Sequence, residues 1–355
     1  MSFVGYGTQS GPTYESTVSN TYDAGNRITQ VVDSITGTIT PGYDGLDRLT
    51  SESGSRGTVS YTYDTASRHS SMTVAGQSAV NYTYDDANRL MQIAQGTSTA
   101  AFTYDSAGRR TSLTLPNAMT TTCAYDAASD STGLSYQRGA TKLGDLGYEY
   151  DFVGRRTSVG GSFARTGLPT ALGSATYNAN NQLTQRGSTS FAYDGNGNLT
   201  SDGGNTYTWN ARNQLASISG GVAASFQYDP FGRRVTKSVG GSSTAYLYDG
   251  VNIVQELSGS TPTADLLNAA SDEVLTRTDG SGTSSYLADG LGSTIAVSDG
   301  SGIQTQYTYD AFAQTTTTGA PSTNPRGLAH LAHELVHVGQ YRNGMTRSVL
   351  AMGLS

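Results

Sequence analysis

The chain of 355 residues has 35% hydrophobic and only 14% charged residues, with 23 Tyr, 44 Gly and a single cysteine. Whole-chain disorder needs low hydrophobicity with dense charge, and a net charge of −7 argues against nucleic-acid binding, which shows as a basic stripe. No apolar run approaches the roughly 18 residues of a membrane span, and the lone Cys123 can make neither an internal disulfide nor a Cys-based zinc site.

The chain opens on MSFVGYGTQSGPTYES, which has neither a basic n-region nor an apolar h-region, so no secretory signal is visible. From residue 22 a dipeptide recurs: Tyr22-Asp23, Tyr43-Asp44, Tyr63-Asp64, Tyr84-Asp85, Tyr104-Asp105 and Tyr125-Asp126, at separations of 21, 20, 21, 20 and 21 residues. The series continues more loosely at Tyr150, Tyr193, Tyr228, Tyr248 and Tyr309, and Tyr177-Asn178 and Trp209-Asn210 act as variants, giving thirteen copies. A period of this length marks a repeat array.

Each copy reads as a strand, a turn and a strand. A second ring two residues before the Tyr (Tyr61, Tyr82, Phe102, Tyr148, Tyr207, Phe226, Tyr246) falls on the same strand face. The Asp opens a turn, because its carboxylate can accept from the backbone N–H two residues on. Gly or Asn four residues after the Tyr suits the positive φ of a short hairpin loop. An Arg or Gln then starts the returning strand. Eighteen of the 23 tyrosines fall in the two ring positions, so the repeat accounts for the Tyr excess. Stacking the units places rings along one face and the turn Asp and Arg residues in register, an array whose ends need capping. Ser, Thr, Gly and Val between the motifs fit polar, β-prone outer faces.

Tyr-Asp-x-x-Gly-Arg at this spacing resembles the YD repeats of the RHS family, and YLADGLGSTIAVSDGSGIQTQYTYDAF over 286–312 resembles the C-terminal part of an RHS core. The resemblance covers residues 15–320. It implies an all-β antiparallel sheet spiralling as a partial shell, as in teneurins and toxin-complex C components, which in bacterial members encloses a C-terminal toxin. It also implies toxin cargo, with a secretion apparatus or an immunity protein as further partners. Secretion or surface display would then use a specialised route. The Gly-Leu-Tyr-Tyr-rich closing stretch and Asp-Pro self-cleavage site usual in the family are missing.

The composition changes near Pro321, so the expected organisation is a repeat domain over 1–320 and a helical segment over 321–355. Asn324-Pro325 reads as a helix start and Asn343-Gly344 as its stop. Between them His333-Glu334-Leu335-Val336-His337 forms HExxH, in which two His at i and i+4 can share a Zn²⁺ and Glu334 can deprotonate a metal-bound water. LAHELVHVGQ resembles the zincin-like domains of bacterial toxins (DUF4157), which implies His333 and His337 as metal ligands and Glu334 as the catalytic base. A catalytic zinc needs a third protein ligand; beyond His337 no His, Asp, Glu or Cys follows, and the metzincin position for a third His is Asn343.

The expected function is a non-enzymatic shell that encloses or presents an effector. A zinc metallopeptidase using HELVH is the first alternative, and a cell-surface array binding glycans by ring stacking is the second. One carboxylate per repeat beside an Arg reads as turn chemistry rather than as a calcium site, and His69 and Cys123 read as structural.

Overall fold

The computed structural model describes residues 1–7, 14–164, 174–221, 223–269, 273–309 and 315–320. The expected helix, with His333, Glu334 and His337, lies outside the described residues.

Every regular element among the described residues is a β-strand. The first sheet has 15 strands, from Ser2–Tyr6 to Arg156–Gly160. A second has three, Ala175–Tyr177, Leu183–Arg186 and Thr189–Ser190. The third has 14, from Ala192–Tyr193 to Thr315–Gly319. In all three the spatial order of strands is their order along the chain. Short turns between successive strands dictate this meander, because a tight turn leaves antiparallel pairing with the neighbour as the only close option. Where a strand meets its Tyr the register slips by one residue, as between Thr103 and Tyr104 or Gln227 and Tyr228, a bulge that aims the ring beside the turn.

By its contacts the chain divides into two compact units. One takes in Met1–Ser60 and Pro169–Thr263, the other Tyr61–Leu168 and Ala264–Asn324. In the first, Tyr207, Leu215, Ile218, Ala224 and Phe226 form one buried cluster and Val235, Tyr246 and Tyr248 another. In the second, Tyr286, Val297 and Tyr307 cluster, and Ala100 and Phe102 alternate inward from Ser98–Tyr104. A buried ring removes roughly 150–250 Å² from water, about 4–6 kcal/mol of gross transfer free energy each. The inner rings therefore carry much of the core.

Candidate functional site: the repeat turn and its ladder

The turn is built by one carboxylate. In the first copy Asp23 Oδ1 accepts from Gly25 N at 2.8 Å and Arg27 N at 3.0 Å, and Oδ2 accepts from Arg27 Nε at 2.7 Å. Asp44, Asp64, Asp85, Asp105 and Asp151 repeat the guanidinium contact at 2.7 Å. Four residues after the ring the backbone turns left-handed, with φ near +63° at Asn26, Asp47, Asn88 and Asn213. Short polar side chains tolerate that region by bonding locally. Ser67 and Ser129 adopt it too, so the position accepts more than the Gly or Asn that the motif predicts.

Several of these Arg residues then reach the next repeat. The Arg68 guanidinium lies 4.5 Å from the Tyr84 ring, Arg109 4.8 Å from Tyr125, and Arg89 5.0 Å from Tyr104. Arg89 Nη1 and Arg109 Nη1 also donate to the carbonyls of Asp105 and Asp126, each at 3.0 Å. The Tyr answers in the opposite direction. Tyr84, Tyr104 and Tyr125 donate to the carbonyls of His69, Leu90 and Arg110 at 3.0, 2.9 and 2.9 Å. Successive turns are thus tied both ways, and the partner lying on the outer ring is a guanidinium of the preceding copy rather than another Tyr. The inner rings behave differently: Tyr61, Phe102, Tyr148, Phe226 and Tyr246 are buried, while most of the Tyr-Asp rings stay half-exposed.

The charges follow from this geometry. Backbone N–H and guanidinium donors hold the Asp64, Asp85 and Asp105 carboxyls below the ordinary range. Two copies keep the polygon without charge. Asn178 and Asn210 accept from the same two backbone N–H groups at 2.9–3.0 Å, and each Nδ2 donates to Gln182 or Gln214 Oε1 at 2.7 or 3.0 Å. Other copies fill the Arg position differently: Asp130 follows Asp126, Asn198 follows Asp194 and donates Nδ2 to its Oδ2 at 2.9 Å, and Ile253 follows Asp249.

His69 lies over Tyr61 with ring centroids 5.0 Å apart and planes 12° off parallel, and its Nε2 is 3.1 Å from Tyr63 Oη. Cys123 is half-buried, and burial pushes its thiol up, away from thiolate reactivity. Both read as structural. Among the described residues no group of three or more His, Cys, Asp or Glu is placed to hold a metal.

Sequence reasoning missed the ion pairs joining distant strands inside each unit. In the first unit Arg212 donates to both Asp33 oxygens, Nη1 to Oδ2 at 2.9 Å and Nη2 to Oδ1 at 2.7 Å. Their side chains are only 9% and 0% exposed. Arg233, already bonded to Asp229 at 2.5 Å, also donates to Glu52 at 2.8 Å. In the second unit Arg110 donates to Glu273 at 2.8 and 3.0 Å, and Tyr136 donates to the Ala288 carbonyl at 2.7 Å. The one available signal was Arg212 itself, a charge in a turn whose Asn–Gln polygon leaves it without local work.

Strand–turn–strand units laid head to tail, most closed by a Tyr-Asp carboxylate and several tied to the next by Arg and Tyr, define a YD-repeat β-sheet protein. The family model for the teneurin YD-shell matches residues 11–157 and 100–324. The chain belongs to that family. Among solved structures it is similar to a Photorhabdus luminescens Tc holotoxin pore carrying a TccC3 mutation, at 14% identity and TM-score 0.55 over 89% of this chain and 23% of that one. It is also similar to TcdB2-TccC3 without its hypervariable C-terminal region, at 15% identity and TM-score 0.55 over 91% and 24%. These likenesses concern the fold, and the chain spans about a quarter of the toxin-complex chains. No curated protein matches it. No helix among the described residues is long and apolar enough to cross a membrane.

Proposed function

We propose that the chain is a structural wall of a YD-repeat shell that encloses or presents a polypeptide effector and is exported with it by a specialised route. The observation that carries this reading is the turn ladder: in copies such as those at Tyr84 and Tyr104, carboxylate, guanidinium and phenol are all spent on holding the wall together. The toxin-complex structures of the same fold favour an enclosed toxin as cargo. The arrangement disfavours the glycan-binding alternative, because a guanidinium covers a face of outer rings such as Tyr84 and Tyr125 and inner rings such as Phe102 and Tyr246 are buried. Limited proteolysis tests the wall: a resistant core ending near residue 320 is expected, and uniform digestion would sink the idea.

A second role is proposed on the sequence HELVH alone, with His333 and His337 as zinc ligands and Glu334 as base. Stoichiometric zinc in the purified protein, lost in His333→Ala, supports it; no zinc by elemental analysis removes it.

A further inference from the structure

Arg234 opens the strand Arg234–Val239 and is 9% exposed. Its guanidinium lies 5.7 Å from the Phe226 ring and 5.8 Å from the Tyr246 ring, the inner rings of two successive repeats. Among the described residues Nε has no hydrogen-bond partner. Aromatic faces offset part of the cost of desolvating a cation, but they leave in-plane N–H donors unsatisfied, and a buried charge normally carries a counter-charge. Lys237 pairs with Phe226 across one strand border and with Thr244 across the other, so it stands on the face that carries the same two rings. Burial, and then the charge of Arg234, hold its ammonium below the ordinary lysine range, against the opposing pull of the buried Glu256, which pairs with Tyr246 on the next strand.

The chain shows elsewhere what this position takes. Arg110 follows Tyr104 by six residues, as Arg234 follows Tyr228. Its guanidinium lies 6.0 Å from the inner ring Phe102, and there Glu273 supplies a carboxylate through two bonds of 2.8 and 3.0 Å. At Arg110, a half-buried cation over an inner ring thus accepts a glutamate side chain, whose methylenes suit the aromatic surroundings better than a fully hydrated anion would; Arg156, in the same position 5.2 Å from the Tyr148 ring, is exposed instead.

We propose that Arg234 and Lys237 form a receptor for a side-chain carboxylate of an acidic polypeptide segment, held on the wall as Glu273 is held by Arg110. The proposal rests on the shell reading only for the origin of that segment, the cargo.

The test uses the full chain and three probes: a hexaglutamate peptide, a hexaglutamine peptide and inorganic phosphate, each followed by calorimetric titration. Saturable binding of hexaglutamate, absent for hexaglutamine, is expected. Arg234→Gln should abolish it, and Lys237→Gln should weaken it about tenfold, the loss of one charge-assisted hydrogen bond. Arg234→Gln removes a buried charge whose Nε has no hydrogen-bond partner, so its unfolding temperature should equal or exceed that of the unaltered chain; if it fails to fold, Lys237→Gln carries the test. Binding that survives both substitutions overturns the proposal. So does binding of phosphate but not of hexaglutamate, or no binding at all. A peptide added in solution needs no enclosed cargo, so failure here leaves the proteolysis result standing, and the reverse also holds.

Discussion

Replacing Asp33 by Ala leaves the Arg212 guanidinium with 9% of its side chain exposed and without its bonded counter-charge. Four donors lose their acceptor: Arg212 Nη1 and Nη2, Ile35 N at 2.9 Å and Thr36 Oγ1 at 2.9 Å. Breaking one side of a buried, hydrogen-bonded pair costs about 3–5 kcal/mol, against a total of about 5–15 kcal/mol for a typical domain. Trp209, the only tryptophan, lies three residues before Arg212 and donates Nε1 to the Leu199 carbonyl at 2.8 Å, so its emission during urea unfolding reports on this region. Asp33→Ala should lower the urea midpoint by that energy divided by the slope, with the slope itself unchanged. The double variant Asp33→Ala/Arg212→Ala should recover part of the loss, since no unpaired charge remains. The pair has an acid signature as well. Burial alone would raise the Asp33 carboxyl, but bonds from Arg212, Ile35 N and Thr36 and the Arg212 charge outweigh it and leave the carboxyl below its ordinary value. A group depressed in the folded state stabilises fully above its unfolded pKa, about 3.9, and loses that contribution as pH falls through the lower folded value. Asp33→Ala should lack this acid limb. A loss under about 1 kcal/mol, the range of an exposed pair, or strict additivity in the double variant, would refute the view that this pair is desolvated and coupled.

Three further outcomes follow from the turn. Asp64→Asn/Arg68→Gln should destabilise less than either single change, because Asn210–Gln214 shows that the neutral polygon closes; urea midpoints read this. Asp130→Arg should restore the missing guanidinium after Asp126 and stabilise by about 0.5 kcal/mol, seen as a raised midpoint. Tyr104→Phe removes the bond to the Leu90 carbonyl and should cost about 0.5–1.5 kcal/mol, with faster hydrogen exchange of the neighbouring strand amides as the local readout.

The repeat was legible because everything it needs is local. The Asp that bonds two and four residues on, the left-handed fourth position and the paired rings all lie within eight residues, so spacing alone identifies them. Contacts to the next copy were half legible. Register placed the turns side by side, but Arg68 and a ring of the next repeat, Tyr84, look alike in sequence whether the ring stacks on another ring or on a guanidinium. The buried pairs were out of reach. Arg212 and Asp33 stand 179 residues apart, and nothing near Asp33 in the strand Ile28–Asp33 marks its partner. Arg233 shows a further limit: its motif role with Asp229 was visible, while its second bond to Glu52 depends on which strands the folded unit brings together.

The reach of each turn, one copy forward through Arg and one back through Tyr, bears on how genes for such arrays can change length. A crossover between two copies at matching positions joins a guanidinium to a phenol that differs little from the one it lost, so the junction is as well made as its parents. Insertions or deletions of a whole copy, 20 or 21 residues, keep every ring on its own strand face. Other lengths break the turn or, by a shift of one residue, turn the inner rings outward. Yet such a change also slides every later residue past its opposite number, and pairs such as Asp33 with Arg212 would then have to be rebuilt. Selection on these arrays should therefore tolerate copy gain near the ends of the repeat and resist it between the residues of a buried pair.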